Sequence, residues 1–401
     1  VNWSPKSPAL YFENARLVEG NLGETRGTLR IARGQIVGIN VPAQRGDIRF
    51  ELDGAFVLPG LLNAHDHLEL NNFPRWKNRD SYANAREWAM EANARLNSDI
   101  ELVRARNVPL ADRLFIGGLK NLLSGATTVA HHNPYHAPLR KNFPVRVVKR
   151  YGWSHSLYLS PDFANAYQRT PRAVPYMIHL AEGTDGAAQG EFEQIEKAGA
   201  LHDNTIFIHG VGLTQAQRMR AIVQHTALVW CPSSNFFLLN ETARVREFSD
   251  AHLLAIGSDS RLTGERDLLD ELRAARETNQ ISADALLRAV TSDAAKILRV
   301  RDVGKIERGM RADLIILPKG VRSTADALGK ISRADLRAVV LNGALQFADA
   351  DFAVLMKNAE RVRLDGREKI VTRALARRYA RNSIREAGLE MEGAASAAET
   401  I

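Results

Sequence analysis

The stretch Pro59-Gly60-Leu61-Leu62-Asn63-Ala64-His65-Asp66-His67 sets the reading of the whole chain. The apolar run Ala55 to Leu58 leads into it. At an extended strand end, residues i and i+2 project to one side. His65 and His67 can therefore converge on one point, as two ligands of a divalent metal must. Two histidines one residue apart are a weak signal alone, so other parts of the chain have to supply the remaining ligands.

Upstream, residues 10–12, 16–18, 27–32, 35–40 and 49–52 read as short strands punctuated by Gly20, Gly23, Gly34 and Gly46. They hold no chemical cluster and read as packing. Downstream, the rhythm becomes apolar strand, polar loop, helical pattern. Residues 79–97 and 100–123 have helical spacing, and 126–130 reads as a buried strand ending in His131-His132. Strand-length apolar runs recur at 153–159, 176–180, 205–208, 227–230 and 253–256. Helical patterns at 190–201, 214–224, 270–280 and 283–298 alternate with or follow them.

The alternation predicts an α/β protein built on a (β/α)8, TIM-like barrel. An open doubly wound sheet is less favoured, because no Gly-rich dinucleotide fingerprint is present. The 46 residues from Asn133 to Ile178 are few for two β/α units. One unit is therefore expected to be abbreviated and the barrel distorted there. Strand character returns at 312–317 and 336–341, followed by the turn signal Asn342-Gly343. The expected organisation is a small β-sandwich domain built from both termini (1–57 and 303–365), with the barrel (58–302) inserted into it. Residues 366–401 are expected to form a basic helix, with Val371, Leu375 and Tyr379 on one face, and then a flexible tail from residue 393.

Of the 401 residues, 45% are hydrophobic and 25% charged, the balance of an ordinary globular protein. No apolar run is long enough to span a membrane, and the first residues lack a signal-peptide pattern. The single cysteine, Cys231, excludes an intrachain disulfide and fits a cytoplasmic location. The net charge of +8 is concentrated late: residues 357–386 hold ten Lys/Arg against four Asp/Glu. A solvated helix face explains that excess, and without an aromatic stacking set nucleic acid is not expected as a partner. A small-molecule substrate is expected; a homo-oligomer is left open.

Four of the expected strands end in residues suited to metal chemistry. They are His65-Asp66-His67, His179-Leu180-Ala181-Glu182, Phe207-Ile208-His209-Gly210 and Gly257-Ser258-Asp259-Ser260. In a (β/α)8 barrel all C-terminal strand ends face one mouth, so these residues would meet there. Each alone is explained by a loop hydrogen bond or a helix cap; four together are not.

The motifs PGLLNAHDH (59–67), GATTV (125–129), HLAE (179–182), FIHG (207–210), WCPSSNFFL (230–238), GSDS (257–260) and GKIERGMRADLIIL (304–317) resemble those of the amidohydrolase superfamily, in its deaminase and chlorohydrolase-like branch. The resemblance covers about residues 8 to 345. It implies that His65, His67, His179 and Asp259 hold one divalent ion, Zn2+ or Fe2+. It implies further that His209 hydrogen-bonds the water on that ion, and that Glu182 carries a proton to the substrate. Such an ion brings the pKa of bound water down toward about 7 and so yields hydroxide at neutral pH. Catalytic roles therefore fall to Asp259, Glu182 and His209. The superfamily's binuclear branch needs a lysine on the fourth strand, and Lys141 and Lys149 do not sit clearly at a strand end.

Substrate contacts are expected from the loops at the mouth: Glu69, Arg75 and Trp76 after the first strand, His131, His132 and His136 after the second, then Asn235 and Arg261. Arg75 and Arg261 suit a carboxylate. His155 and His225 read as structural. The expected activity is hydrolysis at an sp2 carbon bonded to nitrogen, foremost deamination of an N-heterocycle, with cyclic amide or amidine hydrolysis as the alternative. A non-catalytic scaffold on the same fold is the alternative of another class.

Overall fold

The computed structural model describes residues 8–18 and 22–392; the tail expected from residue 393 lies outside them. Five strands open the chain: β1 (Leu10–Val18), β2 (Glu24–Ala32), β3 (Gln35–Ile39), β4 (Ile48–Glu51) and β5 (Phe56–Pro59). Eight short strands follow: β6 (Leu61–Asp66), β7 (Ala126–His131), β8 (Arg146–Val147), β9 (Gly152–Ser156), β10 (Tyr176–Leu180), β11 (Thr205–His209), β12 (Ala227–Trp230) and β13 (Leu254–Ile256). Six more close the described chain: β14 (Leu314–Ile316), β15 (Ala338–Leu341), β16 (Ala344–Ala348), β17 (Ala359–Leu364), β18 (Arg367–Thr372) and β19 (Leu389–Met391).

The fold is α/β with parallel sheets. Strands β6 to β8 pair in parallel, as do β9 to β13, giving sheets of three and five strands. The two meet where the Asp259 N–H, just past β13, donates to the His65 carbonyl at 3.1 Å. Strands β6, β7, β10, β11, β12 and β13 are buried along their whole length. That explains why they read as continuous apolar runs rather than alternating ones. Leu62, Ala64, Ala130, Met177, Ile206, Val229 and Ala255 share one cluster. The alternate residues Leu61, Val129, Ile178, Phe207, Leu228 and Ile256 share another with the surrounding helices.

The abbreviated unit is the third. Strand β8 has two residues, and the chain passes from Val147 to Gly152 without a helix. The other strands of both ends build one sheet, in which β14 pairs β5 and β5 pairs β1.

Two expectations about elements are corrected. The helical pattern at 100–123 is two helices, Ile100–Asn107 and Leu110–Leu123, because Pro109 ends the first and starts the second. The tail is not one basic helix over 366–388. Arg367–Thr372 is a strand paired with β17 across the two-residue turn Asp365-Gly366, where both residues have positive φ (47° and 83°). Asp-Gly is a strong two-residue hairpin signal, and it outweighs helical spacing. The helix is Arg373–Ala380, capped by the Thr372 hydroxyl accepting from the Leu375 N–H. No helix among the described residues is long and apolar enough to cross a membrane.

Candidate active site

The chain bends at each strand end so that the right side chain faces inward. In β6 the register shifts between Asn63 and Asp66, an irregularity that moves His65 and His67 off the face their parity would give them. His209 directly follows Ile208, which shares the cluster of Leu62 and Ala64, so strand alternation would aim it to the opposite face; its φ of 73° turns it back. Ala181 (φ 51°) and Asp259 (φ 51°) make the same left-handed step after β10 and β13. Non-glycine residues rarely hold this conformation, and its cost of about 1–3 kcal/mol is tolerated where surroundings enforce it.

The result is a tight constellation. His179 Nε2 lies 3.3 Å from His65 Nε2 and 3.4 Å from His67 Nε2. Asp259 Oδ1 lies 3.7 Å from His65 Nε2 and 3.9 Å from His67 Nε2. Ligand atoms about 2.0–2.1 Å from a tetrahedral ion are about 3.3 Å apart, so these four atoms suit one divalent ion. All four residues are buried.

Each ring's other nitrogen sets its tautomer. His179 Nδ1–H donates to the His155 carbonyl at 2.5 Å. His132 donates from Nε2 to the Ser154 carbonyl (3.0 Å), which leaves its Nδ1 to accept from His65 Nδ1 (3.3 Å). Both arrangements expose an Nε2 lone pair to the shared point. Burial and neighbouring imidazoles hold His65, His132 and His179 well below the usual histidine range, so they are neutral, as metal ligation requires.

His209 has the opposite tautomer. Trp230 Nε1–H donates to Thr242 Oγ1 (2.7 Å), and the Thr242 hydroxyl donates to Asn235 Oδ1 (3.3 Å). That fixes the Asn235 amide, whose Nδ2 donates to His209 Nδ1 at 2.8 Å. His209 Nε2 therefore carries the proton and points to Glu182 Oε1, 3.4 Å away. Burial brings His209 to about 4, so it is a neutral donor. Burial, with Asp259 and Glu191 nearby, lifts Glu182 well above the carboxylate range. Burial also raises Asp259, but His67, His209 and the hydroxyls of Ser234 and Thr263 outweigh it and keep Asp259 ionised. Both hydroxyls donate to Asp259 Oδ2 at 2.8 Å, while Oδ1 accepts the Ser260 N–H (2.7 Å) and faces the imidazoles.

Beside this centre lies a narrow cleft lined by Arg86, Trp88, His155, Tyr158, Glu182 and Glu191 among others. Sequence reasoning missed Arg86, Trp88 and Tyr158, which sit on irregular or weakly amphipathic stretches that carry no motif. His155, read as structural, faces the cleft.

Most of the residues expected to contact substrate are placed otherwise. His132 and Asn235 are fully buried and bonded to ring nitrogens of His65 and His209. Arg261 gives both terminal nitrogens to Glu386 (2.8 and 2.6 Å) and Nε to the Arg266 carbonyl (2.8 Å), so a protein carboxylate takes its fork. Arg75 bonds the Thr263 and Ser233 carbonyls and Glu265. Trp76 accepts the Trp88 indole N–H on its carbonyl and packs with Phe73 and Leu102.

Glu69, His131 and His136 form a cluster of their own that could hold an ion by spacing. The Leu68 N–H faces His131 Nδ1 at 3.4 Å, which leaves the proton on Nε2, 3.7 Å from Glu69 Oε2. That tautomer favours a pair over a ligand set. Asp66, between the two histidines, faces the other way into a buried network. It accepts from Asn71 (2.8 Å), Asn121 (2.7 Å) and Lys120 (3.3 Å), and Lys120 also reaches the Asp259 carbonyl at 2.9 Å.

Residues 172–364 match the model of the amidohydrolase family. A 5-methylthioadenosine/S-adenosylhomocysteine deaminase of Haloarcula marismortui is 23% identical over 82% of this chain and 90% of its own. A 5'-deoxyadenosine deaminase of Methanobrevibacter smithii is also 23% identical, over 73% of this chain and 80% of its own. Among solved structures, a zinc-bound adenosine deaminase of Xanthomonas campestris superposes with a TM-score of 0.70 at 18% identity, covering 88% of this chain and 97% of that one. An atrazine chlorohydrolase mutant of Arthrobacter aurescens, complexed with zinc and atraton, gives 0.71 at 18% identity, covering 84% and 94%. Motifs, fold and donor set agree with the amidohydrolase family whose model matches residues 172–364, and the chain is similar to metal-dependent deaminases and hydrolases of that kind.

Proposed function

We propose that the chain is a mononuclear Zn2+- or Fe2+-dependent deaminase of an N-heterocycle, with an adenine nucleoside as the substrate class to test first. The observation that carries this is the convergence of the His65, His67 and His179 Nε2 atoms with Asp259 Oδ1, beside the His209 N–H and Glu182. Relatives matching over 71–82% of the chain are named as deaminases of such nucleosides, which favours amine release over ring opening. Lys141 and Lys149 are both exposed, which favours one ion over a lysine-bridged pair. In this reading the eight parallel strands close as a distorted (β/α)8 barrel, and strands from both ends form a small sandwich around it.

A divalent ion held by His65, His67, His179 and Asp259 supplies an acidified water at neutral pH. Asp259, oriented by the Ser234 and Thr263 hydroxyls on Oδ2 and the Ser260 N–H on Oδ1, is placed to accept a proton. His209 Nε2–H is placed to stabilise an oxyanion at the attacked carbon. Glu182, raised well above the carboxylate range by burial, is placed to carry a proton to a ring nitrogen or to the departing amine. Trp88 and Tyr158 offer aromatic walls for a flat ring.

The test is ammonia release from adenosine, 5'-methylthioadenosine, triazines and hydantoins, with metal quantified in the same preparation. One equivalent of metal and ammonia from a nucleoside are expected, and Asp259→Asn should abolish turnover while keeping the fold. Hydantoin opening without ammonia release from any purine would reject the deaminase reading.

A further inference from the structure

The turn that joins His179 to Glu182 carries a strained residue, Ala181, with φ of 51°. Alanine has no side chain with which to hold itself there, so neighbours must. The Ala181 carbonyl accepts the Gly212 N–H (2.9 Å), and the Glu182 carbonyl accepts the Ala85 N–H (2.9 Å). The Ala181 N–H has a different kind of partner: it donates to Glu191 Oε2 at 2.7 Å. Glu191 lies on the helix Gly186–Lys197, and its side chain reaches back to line the cleft with Glu182 and His179.

We propose that Glu191 is a positioning residue of the hydrolytic site: its carboxylate fixes the left-handed turn at Ala181 and so aims Glu182 at the reacting centre. The proposal rests on the hydrolytic reading of Glu182 given above.

A carboxylate is a costly choice for this task. Burial, together with Asp185, raises Glu191 to about 7, against the favourable Ala181 N–H and the Arg86 guanidinium. Burial and Asp259 raise Glu182 on the same turn, and Glu191 adds to that. A carboxylate is a stronger acceptor than an amide for a backbone N–H.

The test compares Glu191→Met, which keeps volume but removes the acceptor, with Glu191→Gln, which keeps an acceptor oxygen. Amide hydrogen exchange at Ala181 is read on both, with bound zinc, kcat and KM. E191M should exchange the Ala181 amide at least tenfold faster and lose about 10- to 100-fold in kcat. Its KM should stay within about threefold and its bound zinc unchanged, and E191Q should recover most of kcat. Faster exchange with wild-type kcat would overturn the proposal, as would loss of zinc in parallel with kcat. Should E191M not fold, the wild-type protein decides: an Ala181 amide exchanging at the rate of an unprotected one removes the hydrogen bond and the proposal with it. A wild type that releases no ammonia would count against the deaminase reading, whereas an active wild type with an equally active E191M counts against Glu191.

Discussion

His65, His179 and His209 each have one ring nitrogen committed to a protein partner, and the partner decides what the other nitrogen does. His65 and His179 donate, to His132 and to a carbonyl, and so present lone pairs. His209 accepts from Asn235 and so presents a proton. Behind these rings lies Glu271, fully buried, which accepts the Ser233 N–H at 3.0 Å and bonds its hydroxyl. Burial raises Glu271 to about 8 from an ordinary 4.5. A carboxyl that binds its proton more tightly folded than unfolded favours the native state at low pH. Its contribution is fully present below about 4.5 and is lost as pH rises through about 8. Urea midpoints should therefore decline from pH 5 to 8, by up to about 1.4 kcal/mol per unit for this group. Glu271→Gln should flatten that decline; an unchanged slope would reject the assignment. Residues such as His65, His179 and Asp259 were legible because each sits in a strand-end motif. The partners Asn235 and His132 were legible as polar residues at the mouth but not as orienters, since a bond spanning 26 or 67 positions leaves no local pattern.

Among the elements, β13 comes so close to β6 that no side chain fits between them. A Cβ on Gly257 would lie 2.5 Å from the His65 Cβ and 2.7 Å from the His65 backbone nitrogen. Gly257→Ala should push β13 from β6, separating Asp259 from His65. A loss of stability of about 1–3 kcal/mol is expected, with weaker retention of metal during dialysis. Unaltered melting and metal content would show that the strands can part at no cost. The strands themselves were readable because burial on both faces gives unbroken apolar runs. The irregularity in β6 and the left-handed steps at Ala181, His209 and Asp259 were not, since backbone re-aiming leaves the residue types unchanged. The C-terminal strand β18 was missed for another reason. The Arg- and Lys-rich run masked its short alternation, although Asp365-Gly366 marked the hairpin.

At the scale of the whole molecule, the late basic segment is tied to the mouth rather than left in solvent. Glu386 is buried between Arg261, two residues past Asp259, and Arg333, whose side chain is also fully buried. Arg333 in turn grips Asp365 in the β17–β18 turn with two bonds of 2.9 Å. Removing the anion leaves Arg261 without a carboxylate and the buried Arg333 with Asp365 as its remaining carboxylate partner. Glu386→Gln should cost about 3–5 kcal/mol, read by denaturant unfolding, and the loss should be larger than for a surface pair such as Arg79–Glu87. A change within about 0.5 kcal/mol would mean that water reaches the pair. This connection joins positions 125 residues apart, and nothing in either neighbourhood announces it.

The lone thiol offers a practical consequence. Cys231 lies fully enclosed just past β12, one residue after the indole that anchors the His209 relay, and burial pushes its pKa well up. A thiol reagent added to the intact protein therefore has one target, shut away at the heart of the strands. Its labelling rate becomes a clock for the opening of the mouth from within, readable without substrate, and a bound metal or inhibitor that closes the site should slow that clock.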